Sequence, residues 1–206
     1  MHQYNIIEGG TNTTEAKAAV VFVHGRGGTA EDIMSLQQYF PFENNYLVAP
    51  QATQNTWYPY SFMAPRAQNE PWLTSAIGTL KQLVDELKLK GFTSEQIYFV
   101  AFSQGACLSL EFVATHAARY GGVFAYIGGL IGDILDIEQY NGNLLETPVY
   151  IGTSDPDAHV PVERVEETKV QFEKLNADIK VDYFKNLGHT ISKEGIANGI
   201  RHVFKQ

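Results

Sequence analysis

Short runs that are apolar at nearly every position alternate along the chain with longer stretches in which apolar residues recur every three or four positions. The short runs fall at 19–24, 46–50, 97–102, 123–128, 148–152 and 179–184, with a weaker one at 4–7. Their β-branched and aromatic content predicts strands, and several are apolar on both faces, as strands of a covered parallel sheet are. The longer stretches predict helices at 29–39, 71–90, 104–120, 162–175 and 193–204; in the second, Leu73, Ile77, Leu80, Val84 and Leu87 share one face. Thr29 with Asp32 reads as a capping box, Pro71 and Pro161 suit first helical positions, and Gly91 suits a helix stop. The alternation predicts an α/β fold in three layers, a mostly parallel sheet of six to seven strands flanked by helices. Nothing resembling a linker or a repeat interrupts it, so residues 1–206 are expected to form one domain. The one long irregular stretch, 53–70, holds Trp57, Tyr58, Tyr60 and Phe62 with two prolines, and a loop of that length is usually functional.

The third full-strength strand, 97–102, runs directly into Ser103-Gln104-Gly105 and then into a helical pattern. A serine on a sharp strand-to-helix turn is where a nucleophile elbow belongs, and Ala-Phe-Ser-Gln-Gly is a variant of Gly-x-Ser-x-Gly with small residues at the tight turn. Such a string arises by chance roughly 0.1–0.2 times in a chain of this length, so the surrounding strand and helix carry more weight than the letters. The alternative is that Ser103 only caps the helix. A serine hydroxyl needs a base to take its proton and a carboxylate to orient that base, in the chain order Ser, acid, His for this kind of sheet. Of six histidines, His189 lies in a polar loop between the last strand and the last helix, and His159 is the runner-up. Asp155 and Asp157, in the loop after the fifth strand, compete for the acid, with Asp133 a distant third. For a developing oxyanion, one backbone N–H is expected from Gln104 and a second from the glycine-rich His24-Gly25-Arg26-Gly27-Gly28, at Arg26. Trp57, Tyr58 and Phe62 are candidates for lining a substrate pocket, with burial against the sheet the competing role, and the Arg26 side chain is expected to be solvated.

Composition narrows the partners. A formal charge of −8 repels polyanions, so neither nucleic acid nor an anionic membrane surface is an expected partner. The longest strictly apolar run, 18–23, is far too short for membrane insertion. A single cysteine, Cys107, excludes an internal disulfide, and with no export signal in view the expected compartment is the cytoplasm. Cys107 itself reads as a small buried packing residue. No metal-ligand spacing is present, and neither a metal nor another cofactor is expected; the glycine loop lacks the residues that would make it a nucleotide site.

Taken in order, Val23-His24-Gly25-Arg26-Gly27-Gly28, Phe102-Ser103-Gln104-Gly105, Asp157-Ala158-His159-Val160-Pro161 and Gly188-His189 resemble the phospholipase/carboxylesterase group of α/β-hydrolases, which includes acyl-protein thioesterases. The resemblance covers most of the chain. In that group the acid opens an Asp-Pro-x-x-Pro-like segment, which favours Asp157 over Asp155, with Ala158 standing where proline is usual. The Gly-Arg-Gly-Gly loop and the Trp57-to-Phe62 segment resemble a bacterial carboxylesterase branch more than the thioesterases. The resemblance implies an α/β-hydrolase fold and a serine hydrolase that cleaves a small-molecule ester or thioester through an acyl-enzyme on Ser103, with a homodimer allowed. The competing reading is a binding protein that kept the fold with reduced catalysis.

Overall fold

The computed structural model describes residues 1–205. Seven strands form one sheet in the order β1-β3-β2-β4-β5-β6-β7, where β1 is Ile6–Gly10, β2 Ala19–Val23, β3 Tyr46–Pro50, β4 Ile97–Phe102, β5 Gly122–Tyr126, β6 Pro148–Asp155 and β7 Asp178–Lys185. Only β1 is antiparallel to its neighbour, pairing along the outer side of β3. The helices are α1 (Ala30–Met34), α2 (Trp72–Leu89), α3 (Gln104–Thr115), α4 (Val162–Lys174) and α5 (Lys193–Phe204).

Strand β2 shows how the sheet is covered. All five of its residues are buried, but alternate ones serve different layers. Val20 and Phe22 pack with Ile33 of α1 and with Ile196 and Val203 of α5, whereas Ala19, Val21 and Val23 face the larger layer built by α2, α3 and α4. Burial on both sides is the reason these runs are apolar throughout. The chain winds from β2 outward to β3, then returns past β2 to β4 and continues the other way. The winding therefore reverses between β2 and β4, and the crevice beyond their carboxyl ends is where open α/β sheets bind ligands. The loops entering that crevice are 24–28 after β2 and the Ser103 turn after β4.

Some elements differ from the sequence expectation. The weak strand at 4–7 is displaced to Ile6–Gly10, where it follows β3 in register. The helix expected over 29–39 keeps its Thr29/Asp32 capping box but is α-helical only to Met34, then tightens to a 3-10 turn over Ser35–Tyr39. The tightening swings Phe40 and Phe42 onto Phe124, at ring separations of 5.1 and 6.3 Å. Helix α3 ends at Thr115 rather than near 120; the Thr115 hydroxyl donates to Glu111 O at 2.8 Å, and His116 leaves helical geometry. Residues 117, 118 and 120 are apolar because they pack against the core, not because the helix continues. Pro71 and Pro161 each stand one position before the first helical residue. The 53–70 stretch contains two short 3-10 turns, Thr53–Asn55 and Arg66–Asn69. Its Arg66 reaches the buried carboxylate of Glu111 on α3 at 2.5 Å, and Glu111 also accepts from Tyr140 Oη and Ile131 N. A buried charge so fully partnered ties the loop to the helix behind Ser103. Among the described residues no helix is long and apolar enough to cross a membrane.

Candidate active site

Between Phe102 of β4 and Gln104 of α3, Ser103 adopts φ 53° and ψ −120°. A non-glycine residue in this region is strained, by about 1–3 kcal/mol, and persists only where its surroundings hold it. Here Ser103 N–H donates to Tyr126 O at 2.9 Å, and Ser103 O accepts from Cys107 N at 3.0 Å. The turn also needs glycine at its flanks: a Cβ on Gly105 would lie 2.2 Å from Val23 O, and one on Gly25 would lie 3.3 Å from Ser103 Cβ. Thus α3 leaves β4 in close contact with the end of β2, and the Ser103 hydroxyl is raised above the sheet edge.

That hydroxyl lies 2.7 Å from His189 Nε2, and His189 Nδ1 lies 2.9 Å from Asp157 Oδ2 and 3.2 Å from Oδ1. His189 is brought in by the turn after β7, where Gly188 takes φ 79° and its N–H donates to Ser154 Oγ at 2.9 Å. The Asp157 side chain is fully buried. Burial acts to raise its pKa, but hydrogen bonds from His159 N–H, His189 and Val160 N–H outweigh it and hold the carboxyl below its usual value. Asp155, in contrast, ends β6 with an exposed side chain, and its backbone oxygen accepts from Asn186 N–H. His159 stands edge-on to the His189 ring at 4.9 Å and lies outside the serine–imidazole–carboxylate series. Asp133 is also outside it; its carbonyl accepts from the buried Arg164 guanidinium.

The backbone N–H groups of Arg26 and Gln104 donate to no protein acceptor among the described residues, while Gly27 N–H is used by Asn55 O and Gly28 N–H by Gly25 O. The Arg26 side chain is not simply solvated, contrary to expectation. Its guanidinium donates to the carbonyls of Tyr58, Pro59 and Tyr60 at 2.9, 2.9 and 2.7 Å. The Gln104 side chain holds the same segment from the other side, accepting from Trp57 N–H and donating to Tyr58 O. Neither clamp has a periodic signature in the sequence, since each joins a side chain to backbone more than thirty residues away.

The clamped segment walls a cleft of about 490 Å³ lined by Tyr58, Phe62, Cys107, Val160 and His189 around Ser103. Trp57 is not in that lining and corrects its assignment as a pocket residue: it is wholly buried, donates from Nε1 to His24 O, and packs between the rings of His2 and His24. Its large apolar surface is better satisfied by the core beneath the loop than by the cleft. Burial pushes the Cys107 thiol up to about 12, which makes it a poor thiolate nucleophile. Among the described residues no three His, Cys, Asp or Glu side chains converge as metal ligands would.

Two further histidines anchor this loop. Consecutive amides, Ala52 N–H and Thr53 N–H, donate to His24 Nε2 and His2 Nδ1, both at 3.1 Å. The opposite ring nitrogens face Gly25 O and Trp57 O, so both rings are held in the neutral form. Burial lowers both pKa values. The unfolded chain then binds protons first as pH falls, so this contribution is complete above about pH 6.5 and declines below it. The melting temperature is expected to be level between pH 7 and 8 and to fall from about pH 6.5 downward, with a shallower fall in His24→Gln, as followed by circular dichroism. An equal acid slope in that variant would count against the anchor.

The sequence profile of the Phospholipase/Carboxylesterase family matches residues 3–205. An acyl-protein thioesterase 1 from Kluyveromyces lactis is 25% identical, covering 98% of this chain and 97% of that one. A phospholipase/carboxylesterase from Dyadobacter fermentans, known from its crystal structure, is 47% identical with a TM-score of 0.97, over 98% of this chain and 97% of that one. The carboxylesterase of Bacillus cereus, at 18% identity and a TM-score of 0.78 over 98% and 94% of the two chains, shares the fold. With an esterase-type hydrolase indicated throughout, the chain belongs to the phospholipase/carboxylesterase family.

Proposed function

We propose that the chain, acting as one domain over residues 1–206, hydrolyses carboxylic esters or thioesters of small to medium acyl groups through a covalent acyl-enzyme on Ser103. The observation that carries this reading is the unbroken hydrogen-bonded series from Ser103 Oγ through His189 to the buried Asp157. In the acylation step Ser103 Oγ attacks the carbonyl carbon while its proton passes to His189 Nε2. Asp157 receives the Nδ1–H bond, fixes the tautomer and stabilises the imidazolium. The carbonyl oxygen, now anionic, takes hydrogen bonds from the N–H groups of Arg26 and Gln104, and the N-terminus of α3 adds favourable potential there. The tetrahedral adduct collapses, the bond to the leaving oxygen or sulfur breaks, and that atom takes the proton from Nε2. Water then repeats the sequence on the acyl-enzyme and frees the acid.

The test is a stopped-flow assay with p-nitrophenyl acetate alongside labelling by a fluorophosphonate. A burst of p-nitrophenol approaching one equivalent, or steady turnover with the label mapped to Ser103, is expected. Absence of both turnover and label would overturn the reading.

A further inference from the structure

A second cavity, of about 230 Å³, lies on the other side of the Arg26 loop from the Ser103 cleft. Ile33, Leu36, Phe102 and Ile191 line it, together with backbone of Gly25 and Gly28, and Arg26 is the one residue it shares with the larger cleft. We propose that this groove receives the leaving group of the substrate, as a neutral alcohol or thiol with an aliphatic or aryl body, while the cleft walled by Tyr58 and Phe62 receives the acyl group. The inference rests on the ester or thioester reading above.

Three observations carry it. A carbonyl whose oxygen points at the Arg26 and Gln104 amides and whose carbon meets Ser103 Oγ has two remaining substituents, and these must diverge. Two cavities meet at Arg26, one for each. The second observation is the position of the proton donor, because the leaving atom must come within reach of His189 Nε2. The Phe102 ring packs against the His189 ring at 5.2 Å, and Ile191 follows two residues later, so a group departing past the imidazole on that face crosses Phe102 into the groove. His159, a residue of the larger cleft, stands edge-on to the same imidazole.

The third observation is chemical. Of the polar side chains at the groove, Arg26 is held by the carbonyls of 58–60 and His24 by Gly25 O and Ala52 N–H, while Asp32, an exposed carboxylate, accepts from Thr29 N–H in the α1 capping box through one oxygen. The apolar surface of Ile33, Leu36, Phe102 and Ile191 favours a carbon body, and the Asp32 carboxylate in the same lining disfavours an anionic one. At less than half the volume of the acyl cleft, the groove suits a benzyl or short alkyl body better than a long chain.

The experiment compares selectivity ratios in wild type and in Leu36→Trp, whose larger side chain narrows the groove, with Ile191→Ala as a second, less disruptive variant. Methyl, butyl and benzyl acetate vary the alcohol at constant acyl group; methyl acetate, butyrate and hexanoate vary the acyl group at constant alcohol. In Leu36→Trp the benzyl-to-methyl ratio of kcat/KM is expected to fall at least about tenfold, while the hexanoate-to-acetate ratio moves less than about threefold. In Ile191→Ala the alcohol ratio is expected to shift and the acyl ratio to stay. A change in acyl preference with alcohol preference intact, or no change in either ratio, would overturn the assignment. Wild-type enzyme that turns over none of these esters and takes no fluorophosphonate would instead remove the hydrolase reading itself.

Discussion

Ser103→Ala is expected to lower kcat on p-nitrophenyl acetate by about 10⁴–10⁶, or roughly 5–8 kcal/mol of transition-state stabilisation. The oxygen removed is the one 2.7 Å from His189 Nε2, and no neighbouring group replaces it. Cys107, one turn along α3, is buried with its thiol pushed up to about 12. Residual turnover would come from a water activated by His189, with the Arg26 and Gln104 amides still in place. The fold should survive, because alanine keeps the Cβ that the turn already accommodates. Ser103→Gly separates chemistry from strain. It is expected to be equally inactive, yet to match or exceed the wild-type melting temperature, since glycine adopts φ 53° without penalty and can offset its greater unfolded-state freedom. Full activity in Ser103→Ala, checked by mass spectrometry to exclude contaminating wild type, would remove Ser103 from the reaction.

Asp157→Asn is the second large effect, an expected loss of about 10⁴ in kcat with little loss of fold. The amide can still accept from His159 N–H and Val160 N–H through its oxygen, as Asp157 Oδ1 does now at 2.8 and 2.9 Å. What it loses is the negative charge beside Nδ1 that stabilises the imidazolium in the transition state. Its amide nitrogen, facing Nδ1, would also favour the tautomer with the proton on Nε2, which cannot accept from Ser103. Asp155→Asn, two residues away and exposed, is expected to change kcat less than about threefold. The pair of variants assayed side by side decides between the two aspartates; a larger loss at Asp155 would reverse the assignment. Because hydrogen bonding holds the Asp157 carboxyl below its usual value despite burial, any loss of wild-type activity from protonation of this group should have its midpoint below the ordinary aspartate value of about 3.9.

The alternation of strand and helix, and with it the parallel sheet, was legible because burial on both faces makes β2 through β6 apolar at nearly every position of their central stretches. The edge strand β1 was the poorest reading for the same reason: it is covered less completely, and its residues alternate in exposure. Helix ends were blurred where residues outside an element remain apolar for tertiary reasons, as beyond Thr115. The strand-helix junction at Ser103 and the loop after the last strand at His189 were readable as positions, and the structure brings the two side chains within 2.7 Å. Trp57 was misassigned, since an aromatic residue in a long loop carries no local mark of whether it turns to solvent, cleft or core.

The amino-acid sequence by itself determined the layer architecture and the placement of Ser103 on the turn between β4 and α3. These are encoded locally, by periodicity within an element and by small residues at a turn that no larger side chain fits, as Gly105 against Val23 O illustrates. The family resemblance favoured Asp157 over Asp155, but only the tertiary structure decided that Asp157 is the one that meets His189. Strand β6 runs three residues past its strongly apolar stretch, through Thr153 and Ser154 to Asp155, because β7 continues to pair with it there. It alone decided as well that Arg26, Gln104, His2 and His24 converge on residues 52–60 to hold one wall of the cleft. The reason is the same in both cases. A hydrogen bond between a side chain and a distant backbone group imposes no repeat on either segment, so its partners become visible only once the chain has folded.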